Sequence, residues 1–263
     1  MAIHPDYAIV PQYAVLGSRR RPGRHLAAVR FVVAHDTGNP GASAAAHARW
    51  YRNDPNPAQP ASAHLFVDDV AIVETVPAMT AAAEHAPHVR NSVPLDNQLY
   101  GIDANEGAIG VEYCFGGSIN ADEAYRRYVW ILAALCDRFR LDPTRDIVSH
   151  KLLDPARRSD PDDGLGRSGR SYEGLLADVR RVYASSGGEP SMVGAHAIAP
   201  GTYHTSVHLV LRDSPRRSAA NLEVLPPGTP VEVETIVEGE AVNGNSDWCA
   251  VDRGFLWSGG LRA

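Results

Sequence analysis

The sequence predicts an α/β domain followed by a small all-β domain. Three observations carry this expectation. Up to about residue 185, short apolar runs rich in β-branched residues alternate with helical stretches, which is the α/β pattern. Residues 185–195, Ser-Ser-Gly-Gly-Glu-Pro-Ser-Met-Val-Gly-Ala, have the composition of a linker. Beyond them no helical period returns, and short β-type runs are separated by turn residues. The 263 residues leave room for one domain of about 150–200 residues and a smaller one. The expected division is 1–184, a linker at 185–195, and 196–263.

The first apolar run, residues 29–34, reads as a buried strand and delivers His35 at its end. Residues 43–52 are Ala-rich and helical, with Ala46 and Trp50 on one face. Residues 64–67 and 70–76 read as two strands joined by a turn at Asp68-Asp69. Residues 109–115 form another strand, carrying Glu112. The clearest helix spans 120–140, with Tyr125, Tyr128, Val129, Leu132, Leu135, Cys136 and Phe139 at helical spacing. Asn120 and Glu123 look like a capping pair at its start, and Pro143 follows its end. Ile147–Ser149 is a short strand that delivers His150, and 171–183 is a last helix with Leu175, Leu176, Val179 and Val182 inward. After the linker, strands are expected at 207–211, 231–236, 248–251 and 255–257. Turns fall at Pro226-Pro227-Gly228 and Asn243-Gly244-Asn245, as in a small barrel.

Bulk properties exclude several classes. A formal net charge of −6 argues against non-specific nucleic-acid binding. Hydrophobic residues at 44% and charged residues at 21% are ordinary for a globular chain. No apolar stretch of about 18 residues exists, so no membrane span is expected. The sparse, odd set Cys114, Cys136 and Cys249 argues against a disulfide framework, and Cys114 and Cys136 read as small core residues. The opening residues 1–7 lack a basic start and an apolar core, so no secretory leader is expected. The protein would be made in the cytoplasm and reach any external target by another route.

His35, His150 and Asp160 are the candidate metal ligands. Two imidazoles and one carboxylate suit a zinc ion and leave its fourth position open for water. Glu112 is a further candidate, because a carboxylate at the end of an apolar strand is costly to bury unless it is paired or functional. The alternative for Glu112 is a strand-end acid facing solvent. For the histidines it is ordinary satisfied core or surface positions.

Three motifs then resemble a known family, the zinc-dependent N-acetylmuramoyl-L-alanine amidases of the amidase-2 and peptidoglycan-recognition-protein type. They are His35-Asp36-Thr37-Gly38-Asn39-Pro40, Ile109-Gly110-Val111-Glu112, and His150 followed by Asp160-Pro161. Ala61-Ser62-Ala63-His64 and Arg20-Arg21-Pro22-Gly23 also look familiar, and the likeness covers roughly residues 6–184. It implies a mixed central sheet flanked by helices, with the metal cleft at one sheet edge. It implies one zinc per chain on His35, His150 and Asp160, with Glu112 as general base. The nearby Asp154 does not fit the family spacing.

Arg158 stands where many relatives carry a lysine that stabilises the oxyanion. Its guanidinium can supply charge but not a proton, and a solvated Arg157-Arg158 pair is the alternative. His64 and His85 are expected to line the substrate cleft, although the tryptophan that relatives often place before the latter is missing. His47, His196, His204 and His208 read as structural or exposed.

The segment after the linker resembles a bacterial SH3-type (SH3b) domain. The matching pieces are 211–215, 225–233 and 254–261, with an enlarged loop expected at 238–246. Trp248 and Trp257 are either a glycan platform or packing residues.

The resemblance implies a hydrolase acting on peptidoglycan, in the layout of a phage or prophage endolysin. Alternatives are a bacterial autolysin or effector of the same chemistry, a zinc hydrolase cutting within the stem peptide, and a non-catalytic peptidoglycan-binding protein. The last usually lacks the third ligand, which Asp160 supplies here.

Overall fold

The computed structural model describes residues 7–91, 93–185, 199–242 and 245–262. The chain divides into two compact units, Met1–Pro190 and Ser191–Ala263. Apart from Ser185, the expected linker lies outside the described residues, as does most of the Asn243-Gly244-Asn245 turn.

The first unit is built in the order β1 (Ile9–Pro11), β2 (Phe31–Asp36), α1 (Ala44–Asn53), β3 (Leu65–Val67), β4 (Ile72–Glu74), α2 (Pro94–Tyr100), α3 (Ala104–Gly107) and β5 (Ala108–Tyr113). It continues with α4 (Ala121–Phe139), β6 (Ile147–Ser149), α5 (His150–Leu153), α6 (Asp162–Arg167) and α7 (Tyr172–Ser185). The six strands form one mixed sheet in the order β1-β4-β3-β5-β2-β6. Strands β3, β5, β2 and β6 run parallel, and only the β3–β4 hairpin is antiparallel.

Strand alternation decides where the core and the site go. Val32 and Ala34 of β2, with Ile109, Val111 and Tyr113 of β5, pack against Tyr128, Leu132 and Leu135 of α4. Phe31, Val33, Ala108 and Val148 face the other way. His35, Glu112 and His150 continue this second series, so the candidate site lies on the face opposite α4. Helix α4 is buried on nearly every side, because the sheet covers one flank and α7 the other.

Half of the expected capping box forms at α4. The Asn120 side chain accepts from Glu123 N at 3.1 Å, but the Glu123 carboxylate turns to Arg126 and Arg127. In α1 the buried stripe is Ala44, His47, Ala48 and Tyr51, while Trp50 is 53% exposed. The face marked by Ala46 and Trp50 is therefore the outer one.

The second unit is all-β and antiparallel. It contains β7 (Gly201–Thr205), β8 (Leu209–Arg212), β9 (Asn221–Leu225), β10 (Pro230–Val233), β11 (Thr235–Val242), β12 (Asn245–Val251), β13 (Gly254–Trp257) and β14 (Leu261–Arg262). These form a sheet β10-β7-β14 and a sheet β11-β12-β13-β8-β9. Leu209, Leu211, Leu225, Val233, Cys249, Leu256 and Leu261 fill the core. The region expected as an enlarged loop at 238–246 is mostly strand, paired across β11 and β12 with a register shift between Glu238 and Val242. Trp248 is 2% exposed and donates its indole N–H to Glu240 O at 2.9 Å. Trp257 donates to Asn245 O at 3.2 Å. The Trp248 indole is committed to packing, which answers the platform question for it, while Trp257 is partly buried against the same core. No helix among the described residues is long and apolar enough to cross a membrane.

Candidate metal centre and cleft

Sheet register builds the site. His35 of β2 sits directly opposite Glu112 of β5. Ala34 of β2 sits opposite Ser149 of β6, so His150 follows in the next place. Glu112, His35 and His150 thus stand in a row across three adjacent strand ends. The cleft lies over the C-terminal ends of these strands and reaches the β6 edge of the sheet. The ends are held locally. Tyr128 of α4 donates its hydroxyl to His35 O at 3.0 Å. Ser149 caps α5 by accepting from Leu152 N at 3.0 Å, which fixes the chain at His150.

Asp160 comes from a loop rather than a strand. Its backbone carbonyl accepts from Lys151 N, a free donor in the first turn of α5, at 2.8 Å. That bond brings the loop back beside His150. The Asp160 Oδ2 then lies 3.0 Å from His35 Nδ1 and 3.0 Å from His150 Nδ1. The three ligand atoms lie within 4.8 Å of one another. Asp154, five per cent exposed, is instead held by Arg157 at 2.8 Å.

Burial pushes the His35 imidazolium down to about 4, with His150 adding to the effect, so the ring is neutral near pH 7. Burial would raise the Asp160 carboxyl, but the hydrogen bonds with His150 and His35 outweigh it and hold the group below the usual range. Neutral imidazole and ionised carboxylate are the forms that bind a metal. Glu112 goes the other way. Burial, then the negative charges of Asp160 and Asp36, raise its pKa well above the ordinary value, while Arg158 opposes the shift. Its Oε2 is buried and has no hydrogen-bond partner among the described residues.

These groups line one cleft of about 400 Å³, together with Arg158, Tyr51 and His88. The Arg158 side chain is exposed and close enough to influence both Glu112 and His35.

Two expected cleft residues are elsewhere. His64 is fully buried, accepts from Gly110 N on Nδ1 at 3.0 Å, and meets Glu84 O with Nε2 at 2.8 Å. Both ring nitrogens are engaged by backbone, so His64 serves the interior and does not line the cleft. It directly precedes β3, and the same alternation that turns Leu65 to the α4 side turns it toward Gly110. His85 is half-buried beside Arg24, faces Glu106 at 3.5 Å, and is not among the residues that line this cleft. Sequence reasoning missed His88 and Tyr51. The i, i+4 spacing of His47 and Tyr51 on α1 is the one signal that would have pointed to the latter.

Comparisons with known proteins point to one family. The amidase-2 family model, described as N-acetylmuramoyl-L-alanine amidase, matches residues 25–163. The amidase BlyA of Bacillus subtilis is 36% identical over 146 residues, covering 52% of this chain and 38% of that protein. A probable N-acetylmuramoyl-L-alanine amidase of Bacillus licheniformis is 34% identical, covering 54% of this chain and 39% of its own length. The match therefore spans well under half of these curated relatives. Among solved structures, the catalytic domain of XlyA superposes with a TM-score of 0.52 at 24% identity, covering 65% of this chain and 99% of that one. The Staphylococcus aureus hydrolase AmiA gives 0.51 at 21%, covering 70% and 87%. At these identities the structural likeness speaks for the fold.

Proposed function

This chain belongs to the amidase-2 family of N-acetylmuramoyl-L-alanine amidases, and from that premise we propose that it is a zinc-dependent peptidoglycan hydrolase. It cuts the amide between the lactyl group of N-acetylmuramic acid and the L-alanine of the stem peptide. The observation that carries this reading is the convergence of His35, His150 and Asp160 beside Glu112, whose buried oxygen has no partner among the described residues.

The donor set fits zinc. His35 Nδ1, His150 Nδ1 and Asp160 Oδ2 would hold the ion, giving the N, N, O composition of catalytic sites with one position open. When bound, zinc supplies Lewis acidity, which makes a water more acidic and polarises an amide carbonyl. The chain's own groups do the rest. Glu112 takes a proton from the attacking water and returns it to the leaving amine. Arg158, reaching over the cleft, neutralises the negative charge that develops on the carbonyl oxygen. A C–O bond forms, the C–N bond breaks, and a free lactyl carboxylate and an N-terminal alanine result.

The second unit is proposed to act as an SH3b-like wall anchor. Tethering raises the effective concentration of enzyme at an insoluble substrate without altering the chemistry. The layout fits an endolysin, made in the cytoplasm and acting on the wall after release.

The test is digestion of purified cell walls followed by mass analysis of the soluble products. New N-terminal alanine, absent with Glu112→Gln, is the expected outcome. New termini elsewhere in the stem peptide would replace this reading with a peptidase. Tight wall binding with no new termini would replace it with a non-catalytic binding protein.

A further inference from the structure

Behind His35 lies a second imidazole that no motif announces. His88 is 8% exposed, and its Nδ1 sits 3.1 Å from His35 Nε2. The two rings meet edge to face, 5.3 Å between centroids at 84°. A neutral imidazole carries one N–H. If His35 offers the Nδ1 lone pair to a metal, its proton must be on Nε2, and the group facing that proton is His88 Nδ1.

The structure around His88 holds its ring in this place, with Nε2 buried and without a hydrogen-bond partner among the described residues. Asn105 Oδ1 accepts from His88 N at 2.8 Å and from Val89 N at 2.9 Å. Its Nδ2 donates to Val89 O and to Asn91 Oδ1, both at 2.7 Å. The Asn105 amide thus clamps the backbone that carries His88. On the other side, the ring occupies the space above Gly110. A Cβ at Gly110 would lie 2.7 Å from His88 Nδ1 and 2.8 Å from its Cγ. The glycine of the Ile-Gly-Val-Glu stretch is what lets the His88 ring reach His35.

We propose that His88 is a positioning residue for the first metal ligand, accepting the Nε2 proton of His35 and so fixing its tautomer and ring plane with Nδ1 turned to the metal. Outer partners of this kind orient metal-bound histidines. The usual partner is a carboxylate or a carbonyl. A neutral imidazole accepts the proton without adding negative charge behind the ligand. The inference rests on the zinc reading above.

The test measures zinc affinity of the full chain by competition with a chromogenic chelator, alongside thermal unfolding of the metal-free proteins. His88→Leu removes the acceptor and should weaken zinc binding by roughly 10–100-fold, the usual cost of losing such a partner. His88→Asn can place its Oδ1 where Nδ1 was, and should recover most of that loss. Gly110→Ala keeps His88 but displaces its ring, and should weaken zinc binding as His88→Leu does. Should His88→Leu fail to fold without metal, Gly110→Ala carries the test.

Zinc affinity unchanged in His88→Leu or in Gly110→Ala would overturn the proposal. So would equal weakening in His88→Leu and His88→Asn, which would mark a packing role and no acceptor. A wild-type chain that binds no zinc would sink the zinc reading itself. Normal wild-type binding, insensitive to these changes, would sink only the role of His88.

Discussion

Acid should destabilise this protein through histidines that are buried neutral, and His64 gives the clearest measurement. Burial pushes its pKa down from 6.5 to about 4. A proton on Nδ1 would also abolish the bond from Gly110 N. The unfolded chain takes up a proton below about pH 6.5, while the native chain stays unprotonated until about pH 4, so stability falls as pH drops through this window. With these two values, one such histidine removes about 2 kcal/mol between about pH 7.5 and pH 5. His35 acts in the same direction, and Glu112, whose native pKa is raised, acts in the opposite one.

A difference measurement cancels those other groups. His64→Gln should cost stability at neutral pH, because it loses a ring fitted between Gly110 N and Glu84 O. Its deficit against wild type should then shrink by about 2 kcal/mol at about pH 5. The assay is urea unfolding of metal-free protein followed by circular dichroism at 222 nm. All the α-helices of the described residues lie in the first unit, so this signal reports that unit. A deficit that stays constant from neutral to acid pH, or grows, would refute the account of His64 as a neutral, backbone-satisfied core residue.

Three further outcomes follow from the site and its proposed chemistry. Metal analysis of the purified chain should give about one zinc, and His150→Ala should lose both metal and activity; full zinc occupancy in that variant would remove His150 from the ligand set. Arg158→Ala should lose roughly 10²–10³-fold in activity, as for one oxyanion donor, while Arg158→Lys stays active because the charge is kept. Equal activity of all three proteins would show a solvated arginine. Residues 1–184 alone should fold, bind zinc and cut soluble muropeptide at near-normal rate but act more slowly on intact walls, and equal lysis of intact walls by this fragment and the full chain would remove the targeting role from the second unit.

The sequence made the site legible where strand ends carry it. His35, Glu112 and His150 each close an apolar run, and parallel strands in register turn that into a row of side chains. Asp160 sits in a loop, and only its spacing from His150 in a known motif points to it. What brings it in is the bond from Lys151 N, which no pattern foretells. His88 was illegible for a related reason. Its role depends on an empty Cβ position at Gly110 on a strand distant in sequence, so nothing near residue 88 marks it. His64 was misplaced because a motif gives a position along the chain and not a side chain's partners: it emerges on the face that carries the site, but backbone at Gly110 and Glu84 engages both its ring nitrogens. Helices α2, α3, α5 and α6 were missed because each is at most two turns long, too short to show a period. The long helix α4 was read to within a residue at each end.

Electrostatics bears on the proposed zinc site through Glu112. Glu112, Asp36, Asp160 and Asp163 share one cleft with Arg157, Arg158 and Arg167, and of these arginines Arg158 acts on Glu112. Left to themselves, burial and like charge drive Glu112 toward its protonated form, in which it cannot accept a proton from water. Further positive charge beside Glu112 would favour the ionised form that a general base requires. A divalent ion on His35, His150 and Asp160 would provide it, because a bound cation is the largest local charge in such a site and reverses the pKa logic of its neighbours. On this argument the carboxylate that looks least suited to its task without a metal becomes suited to it with one. The same burial that raises its pKa would then shield the proton that the proposed mechanism has it carry between water and the leaving amine.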